Sequence, residues 1–419
     1  MASEPAIGPN GKIFANIFIF AVNKFLTNLK LNASQLTQMM KVLIVCNNAY
    51  MPGNGICTAV LSLIDRLKHK GIAVRLMACE NPDPEGPQPE YRLKHFKFPF
   101  FEPIIYSNGF RYATFDKKTA TEALKWADIV HFCEGFPLEG KTARLAQKMG
   151  VPCVGTYHLL TENVMANLGM KKAWLLNYLV TQWWRKAVYD RCRYVQCPTE
   201  TVKKYLLEHG FKSNMKVISN GIELSECSYA PRKLHESPVN IICIGRLSYE
   251  KSQETLLNAM AYSRHADRIQ LHFAGKGPKM KKYQKLADKL VRKGILKYKP
   301  QFGYYKRDQL KELIRQSHLF VHCAWVEVEG LSCVEAIAEG VVPVIAEGQL
   351  TAASQFALDE RSMFPESDSK ALAQKIDWWI DHPEERSGME RLYAESVEKY
   401  SASASTAEII RMYEEALAQ

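Results

Sequence analysis

Short apolar runs rich in β-branched residues alternate with helix-length amphipathic segments along most of the chain. A first series of runs predicts strands at Lys41–Cys46, Ala73–Cys79, Asp128–Phe132, Cys153–His158, Tyr194–Cys197 and Lys216–Ser219. A second series predicts strands at Val239–Ile244, Ile269–Ala274, Leu319–Cys323 and Val342–Ile345. Nearly continuous apolar strands that alternate with helices are typical of parallel sheets covered on both faces. The pattern therefore predicts an α/β protein.

The break between the two series predicts two domains. Residues 223–238 are polar, contain two prolines and show no periodicity, so they are expected to form a linker. An N-terminal domain is then predicted over residues 40–222 and a C-terminal domain over 239–401. The last stretch, residues 402–419, has the apolar face of a helix and is expected to pack back on the N-terminal domain.

The first 39 residues stand apart from this pattern. Their apolar segment, residues 13–22, is too short to span a membrane and is followed by Lys24. Three interpretations remain open: a working N-terminus at Met40, an interfacial anchor, or a loose helix.

Composition and charge narrow the class of partner. The 419 residues include 55 Lys and Arg against 44 Asp and Glu, which gives a net charge of +11. Such a charge is compatible with nucleic acid, an anionic membrane or a phosphorylated substrate. The absence of a helix-turn-helix, RNP or finger pattern argues against nucleic acid. A hydrophobic content of 47% excludes a disordered or collagen-like chain.

The cysteines indicate a reducing compartment. The 11 cysteines include no CxxC pair, and His131 with Cys133 is too sparse a set for a zinc site. We therefore predict reduced thiols, a cytoplasmic location and no bound metal. No apolar run reaches the ~20 residues that a membrane-spanning helix needs.

Candidate binding residues follow the strands of the N-terminal domain. Ligands of open α/β sheets lie outside the carboxyl ends of the strands. Gly53 and Gly55 follow the first strand and precede a helix, where they would let the backbone approach an anion. His158 ends another strand and is predicted to face the crevice, although a solvated loop histidine is an equal alternative.

The C-terminal domain has more candidate binding residues, and they also follow the carboxyl ends of its predicted strands. Arg246 and Lys251 follow its first strand and suit a diphosphate, since arginine offers a fork of donors and lysine a point charge. Gly275 and Gly277 form a tight turn after the next strand. The most informative segment runs from Glu327 through a glycine to a helix, and its members are Glu327, Glu329, Gly330, Leu331 and Glu335.

Together these motifs resemble the retaining glycosyltransferases of family 4. Glu327 and Glu335 match the E-x7-E pattern of that family, and Arg246 and Lys251 match its donor-phosphate pair. Further matches are the GxGP turn at 275–278, the Asn-Gly-Ile at 220–222, the Pro-Thr-Glu at 198–200, the glycines at 53 and 55, and the active-centre histidine at His158. The resemblance extends from about Met40 to the end of the chain.

The resemblance implies the GT-B fold, in which two Rossmann-like parallel-sheet domains face each other across a cleft. It implies a nucleotide-sugar donor, UDP-glucose or UDP-galactose, and neither a cofactor nor a metal. Glu335 would hold the ribose, and Arg246 and Lys251 would neutralise the leaving diphosphate. Glu327, the backbone at 329–331 and His158 would hold the transferred hexose. The acceptor hydroxyl would attack the sugar from the face that the leaving group occupies.

Two departures from the family concern the donor. Glu329 stands where the family usually has an aromatic residue, so that an extra carboxylate is expected beside the sugar. The segment around Gly303 also differs from the family pattern on the nucleotide-base side.

The acceptor side is predicted from a segment that interleaves aromatic and basic residues. Residues 157–218 hold ten Lys or Arg against four Asp or Glu, and 276–299 hold ten against one. The first of these segments can lie on an anionic bilayer, and the equal alternative is a core helix whose apolar side chains pack inward. For 276–299 a solvated helix face is expected first and binding to an anionic surface second. The candidate membrane-facing residues are Lys171, Lys172, Trp174, Trp183, Trp184, Arg185 and Lys186.

The leading hypothesis is therefore a hexosyltransferase acting on a membrane lipid or lipid-linked glycan, peripheral on the cytoplasmic face of the membrane. Transfer to a soluble sugar or sugar phosphate is the alternative, followed by a nucleotide-sugar epimerase of the same fold. A binding-only protein of this fold also stays open, and a nucleic-acid partner is not expected.

Overall fold

The structure is a computed structural model. It describes residues 40–418 except 52, 101, 108, 168–169, 171–172, 228 and 233–236. The interpretations of residues 1–39 and the predicted roles of Lys171 and Lys172 therefore lie outside the described residues.

The N-terminal half contains a seven-stranded parallel sheet. The strands of this half are β1 (Lys41–Val45), β2 (Ala73–Cys79), β3 (Tyr91–Leu93), β4 (His95–Phe96), β5 (Tyr112–Ala113), β6 (Ile129–Phe132), β7 (Cys153–Thr156), β8 (Tyr194–Cys197) and β9 (Asn214–Val217). The sheet has the order β3-β2-β1-β6-β7-β8-β9, and β4 pairs separately with β5. The helices are α1 (Gly55–His69), α2 (Glu102–Ser107), α3 (Lys117–Trp126), α4 (Pro137–Met149), α5 (Thr161–Asn167), α6 (Trp174–Ala187) and α7 (Glu200–Glu208).

The C-terminal half repeats the architecture with six parallel strands. They are β10 (Val239–Ile244), β11 (Ile269–Ala274), β12 (Gln301–Gly303), β13 (Leu319–His322), β14 (Val342–Glu347) and β15 (Met363–Pro365), in the order β12-β11-β10-β13-β14-β15. The helices are α8 (Gln253–Ala259), α9 (Met280–Arg292), α10 (Arg307–Arg315), α11 (Leu331–Ala338), α12 (Ser369–Asp381) and α13 (Pro383–Ser396).

Burial explains why the strands are apolar throughout. All six residues of β11 and four of the five in β1 are buried, because helices cover both faces of each sheet. Separate clusters of apolar side chains lie on the two faces of the first sheet, and a single large cluster fills the C-terminal half. All eleven cysteines carry free thiols, and ten of them are buried.

The last helix, α14 (Ala402–Ala418), returns to the N-terminal half. Ile409, Met412 and Tyr413 pack in the same apolar cluster as β1 and α1. The hydroxyl of Tyr413 lies 2.6 Å from Nδ1 of His131, which is fully buried. The chain therefore crosses between the two halves twice.

The described part of the segment between the two halves packs on the C-terminal half. Arg232 forms an ion pair with Glu390 at 2.8 Å and donates to the carbonyls of Ser317 and Gly340. A backbone bridge between Ile222 and Ser401 joins the two crossings. The domain limits drawn from the sequence remain a prediction.

The predicted α/β class with two parallel sheets is confirmed. The bounds of β2, β8, β10 and β11 are as expected, whereas β9 begins and ends two residues earlier than the predicted Lys216–Ser219. The pattern missed β3, β4, β5, β12 and β15, because runs of two or three residues are too short to show a period.

Candidate active site

A cleft of about 290 Å³ opens between the carboxyl ends of the two sheets. Both halves of the chain line it. Its walls include Gly53, Gly55, His158, Asn163, Asn220, Arg246, Glu250, Lys251, Glu327, Glu329, Gly330 and Leu331. The structure therefore brings most of the predicted site residues to one place.

The loop after β1 forms one wall. Asn54 caps α1, since its side chain accepts from the amide of Ile56 at 2.9 Å and donates to the carbonyl of Gly109 at 2.8 Å. Apart from its own chain neighbours, no described residue has an atom within 4 Å of a Cβ built on Gly53 or Gly55. The space beside these glycines thus belongs to the cleft, where it leaves room for a ligand.

Two cations on the opposite wall are each held by a carboxylate, which is fully buried in Glu250 and largely buried in Glu327. Arg246 pairs with Glu250 at 3.0 Å, and Glu250 also accepts from Ser248 at 2.6 Å. Lys251 pairs with Glu327, which lies 3.1 Å from Nε2 of His322. These contacts fix the direction of both cations before a ligand arrives, and such preorganisation favours charge stabilisation.

Glu327 is ionised in this setting. Burial raises the pKa of its carboxyl, but Lys251 and His322 outweigh burial and hold that pKa well below its ordinary value. Lys251 is therefore half of a permanent ion pair, which can share its charge with an anion in the cleft.

A second cavity of about 340 Å³ adjoins the cleft and shares Gly53, Gly245 and Arg246 with it. Gly275 and Gly277 line this second cavity. A Cβ at Gly275 would lie 2.0 Å from the carbonyl oxygen of Gly245, so this turn requires glycine. The ring of Tyr304 closes the far side of the cavity and lies 4.8 Å from Nζ of Lys276.

Glu329 does not project freely into the cleft. Its carboxylate accepts from the side chain of Ser219 and from the backbone and side chain of Asn220, which also contacts His158. The expected extra carboxylate beside the sugar is thus bonded to the segment after β9.

Glu335 lies half-buried on α11, beyond Ser332, and is absent from the lining of the cleft. Gly330 precedes this helix with φ near 89°, a conformation that favours glycine. The predicted ribose contact of Glu335 therefore stays a prediction.

Sequence reasoning missed two side chains that support the cations. His322 ends β13 and contacts Glu327, and Glu250 pairs with Arg246. His322 could have been found, because a histidine at the carboxyl end of a strand was the signal used for His158. The burial of Glu250 depends on packing that no local pattern indicates.

The predicted membrane-facing residues of α6 divide between its two sides. Trp174, Trp183 and Lys186 are exposed. Trp184 is buried against the rings of Phe136 and Tyr157, so its predicted place on the membrane-facing side is wrong.

Arg185 also departs from the predicted membrane-facing set. Its guanidinium is turned inward, where it donates to the carbonyl of Gly210 at 2.7 Å. An inward charge of this kind satisfies backbone groups at the end of α7 and is not available to a membrane surface.

Two searches of the described residues gave negative results. None of the described helices combines the length and the apolar character that crossing a bilayer requires. Within the same residues, no group of three or more His, Cys, Asp or Glu side chains is arranged to hold a metal ion.

Known proteins are similar to both halves of the chain. Residues 53–226 match the family model described as Glycosyltransferase Family 4, and residues 230–392 match the model described as Glycosyl transferases group 1. The α-monoglucosyldiacylglycerol synthase of Streptococcus pneumoniae is 24% identical over 321 residues, which are 72% of this chain and 70% of that protein.

Solved structures are similar as well. The Anabaena protein HepE in complex with UDP-glucose is 15% identical, covers 90% of this chain and 100% of its own, and has a TM-score of 0.64. The catalytic domain of cholesterol-α-glucosyltransferase from Helicobacter pylori is 42% identical, over 39% of this chain and 100% of that chain, with a TM-score of 0.35.

The two parallel-sheet halves and the cleft between them form the GT-B fold. Because each half of the chain matches a glycosyltransferase family model, the protein is a glycosyltransferase. The family resemblance drawn from the sequence is thereby confirmed.

Proposed function

We propose that this protein is a retaining hexosyltransferase that moves glucose or galactose from a UDP-sugar to a hydroxyl of a membrane lipid or lipid-linked glycan. It would act as a peripheral protein on the cytoplasmic face of the membrane. The name of the S. pneumoniae relative, a synthase of a glucosylated diacylglycerol, supports this acceptor class. The observation that supports this acceptor class most directly is the orientation of α6, which exposes its apolar side.

Helix α6 buries polar side chains and exposes apolar ones, which is the opposite of an ordinary surface helix. Asn177 and Thr181 face inward, where Oγ1 of Thr181 lies 2.9 Å from Oγ1 of Thr161 and 3.2 Å from the hydroxyl of Tyr205. The exposed side carries large apolar residues, which are Trp174, Leu175, Leu176, Tyr178, Leu179 and Trp183. A contiguous apolar patch of this kind marks an interaction site, and interfacial helices bury such a face at the headgroup boundary.

A second exposed apolar segment is linked to the buried side of α6 by a series of aromatic rings. Phe96 and Phe100 are exposed. Ring contacts of 4.8–5.3 Å run in succession through Phe96, Phe98, Tyr112, Phe136 and Trp184 and so connect this segment to α6. Exposed Lys94, Lys97 and Lys186 accompany the two segments and would favour anionic lipid.

Helix α5 links this surface to the cleft. Thr161, at its start, contacts α6, and Asn163, two residues later, lines the cleft. We therefore propose that the hydroxyl of a lipid held at α6 enters the cleft past α5.

The carboxylates that line the cleft are already bonded to protein groups. This supports a step in which the acceptor hydroxyl attacks the sugar on the face that the leaving group occupies. Among the described residues that line the cleft, Glu250, Glu327 and Glu329 are the carboxylates, and each already accepts hydrogen bonds or ion pairs. In the proposed step the bond from the anomeric carbon to the phosphate oxygen breaks. The acceptor oxygen bonds to that carbon on the same face, and its proton passes to the leaving phosphate.

The proposal assigns charge neutralisation to Arg246 and Lys251 and includes no metal. The nucleotide would extend into the second cavity, beside the Gly275 turn and Tyr304. The sugar would lie between Glu327, the backbone at 329–331 and His158.

Turnover of UDP-glucose and UDP-galactose with lipid vesicles, with soluble sugars and without acceptor tests this function. We expect a glycolipid product, and we expect the double variant Arg246→Ala/Lys251→Ala to lose turnover. The matched control is Lys282→Ala/Arg411→Ala, which removes two exposed cations from ion pairs outside the cleft. Unchanged turnover in the first variant would refute the proposal. Transfer only to soluble sugars, or epimerised donor without acceptor, would replace it with the alternatives.

A further inference from the structure

A buried carboxylate joins the two halves of the protein at the cleft. Glu329, in the loop before α11, is 3% exposed. It accepts from the hydroxyl of Ser219, from the backbone amide of Asn220 at 3.1 and 3.2 Å, and from Nδ2 of Asn220 at 2.7 Å. All of these donors lie in the segment that follows β9, so Glu329 bonds one half of the chain to the other.

Asn220 extends this contact to His158. Its Oδ1 lies 2.9 Å from Nε2 of His158, whose Nδ1 lies 3.1 Å from the carbonyl oxygen of Cys133. A carbonyl only accepts, so Nδ1 carries a proton. An amide oxygen also only accepts, so this orientation of Asn220 requires a second proton on Nε2. His158 is then an imidazolium ion and Glu329 is a carboxylate.

Reversing the Asn220 amide gives a second consistent arrangement. Nδ2 then donates to Nε2 of a neutral His158, and Oδ1 accepts from a protonated Glu329. The amide nitrogen and oxygen have nearly the same shape, so both arrangements fit the same heavy-atom positions. One proton separates them: it leaves Nε2 of His158, and the carboxylate of Glu329 gains one.

We propose that Glu329, Asn220 and His158 share a single proton, and that Glu329 is a positioning residue that controls, through Asn220, the charge of His158 on the wall of the cleft. The meaning of that charge for sugar transfer rests on the proposed function. The proton arrangement itself depends only on the three side chains.

The protein environment changes the pKa values of Glu329 and His158 in opposite directions. Burial raises the pKa of Glu329 to about 7 against the hydrogen bonds from Ser219 and Asn220. Burial lowers the pKa of His158, against its hydrogen bonds to Asn220 and Cys133. These opposite shifts support the sharing of one proton between the two residues.

Three other charged or titratable groups face this pair. Glu327, on the same loop, raises the pKa of Glu329 but stays ionised itself. Arg66 on α1 interacts with Glu329 and donates to the carbonyl of Asn220 at 2.9 Å. His131 faces His158, and burial lowers the pKa of His131 to about 3, so it stays neutral. None of these groups gains or loses a proton near neutral pH.

Titration of the full chain, labelled with ¹⁵N-histidine and free of substrate, tests the shared proton by NMR. The signal of His158 is assigned by its loss in His158→Asn. In the wild type we expect an Nε2 shift between the imidazolium and neutral values below about pH 7, and a move to the neutral value above it as the pair loses its proton. In Glu329→Gln the shift should move to the neutral value throughout. Glu339→Gln, which removes another buried carboxylate from its ion pair with Arg315, should match the wild type.

A second variant keeps the test decisive if Glu329→Gln fails to fold. Asn220→Ala removes the amide that links the two groups and retains the carboxylate, so His158 should titrate as an isolated imidazole. An Nε2 titration that is the same in wild type and in either variant would overturn the proposal. Because no substrate is used, loss of the proposed transferase activity would not alter this result.

Discussion

Replacing Trp174 by serine should weaken binding to anionic vesicles without unfolding the protein. Trp174 begins α6, and 74% of its surface is exposed. Its removal therefore takes away apolar area from the proposed membrane surface and leaves the buried face of the helix intact.

The magnitude follows from the exposed area. An aromatic side chain of this class offers roughly 200 Å², and about half of the exposed part would enter the apolar layer. At ~25 cal/mol/Å², the loss is about 2 kcal/mol, or roughly twentyfold in the partition coefficient.

Flotation with vesicles that contain anionic lipid measures this coefficient directly. Tyr262→Ser is the matched control, since Tyr262 is similarly exposed but lies in the C-terminal half, away from α6. The control should partition like the wild type. Equal partitioning of Trp174→Ser and the wild type, or equal losses in both variants, would refute the reasoning.

Four further substitutions test the site and the fold that supports it. Lys251→Met should destabilise the protein by roughly 2 kcal/mol in chemical denaturation, because it leaves the largely buried Glu327 without its cation. Adding Glu327→Gln should restore stability but not turnover, and recovered turnover would contradict the assigned role. Gly275→Ala should abolish UDP binding by calorimetry, since its Cβ would meet backbone at 2.0 Å. Gly388→Ala, in open space on α13, should stabilise by ~0.5–1 kcal/mol. Trp184→Ala should cost about 3–5 kcal/mol, and a loss below about 1 kcal/mol would contradict its burial.

The sequence predicted the site because its residues follow strands. Arg246 comes two residues after β10 and Gly275 directly after β11, and parallel strands bring their carboxyl ends to one edge. Local order along the chain was therefore enough to place these residues beside the cleft.

Contacts between distant segments could not be predicted in the same way. The bond from Glu329 to Ser219 and Asn220 joins residues more than a hundred positions apart. Trp183 and Trp184 are adjacent residues of the same type on α6. The sequence alone therefore does not reveal which of them faces outward.

The anomeric configuration and the carrier of the transferred sugar test the central claim most directly. The purified protein is incubated with UDP-glucose and vesicles of hydroxyl-bearing lipid, and the product is analysed by mass spectrometry and by its anomeric proton coupling. The account predicts a lipid that carries one more hexose in the α configuration of the donor. A β-linked product, or free glucose without any glycolipid, would contradict it.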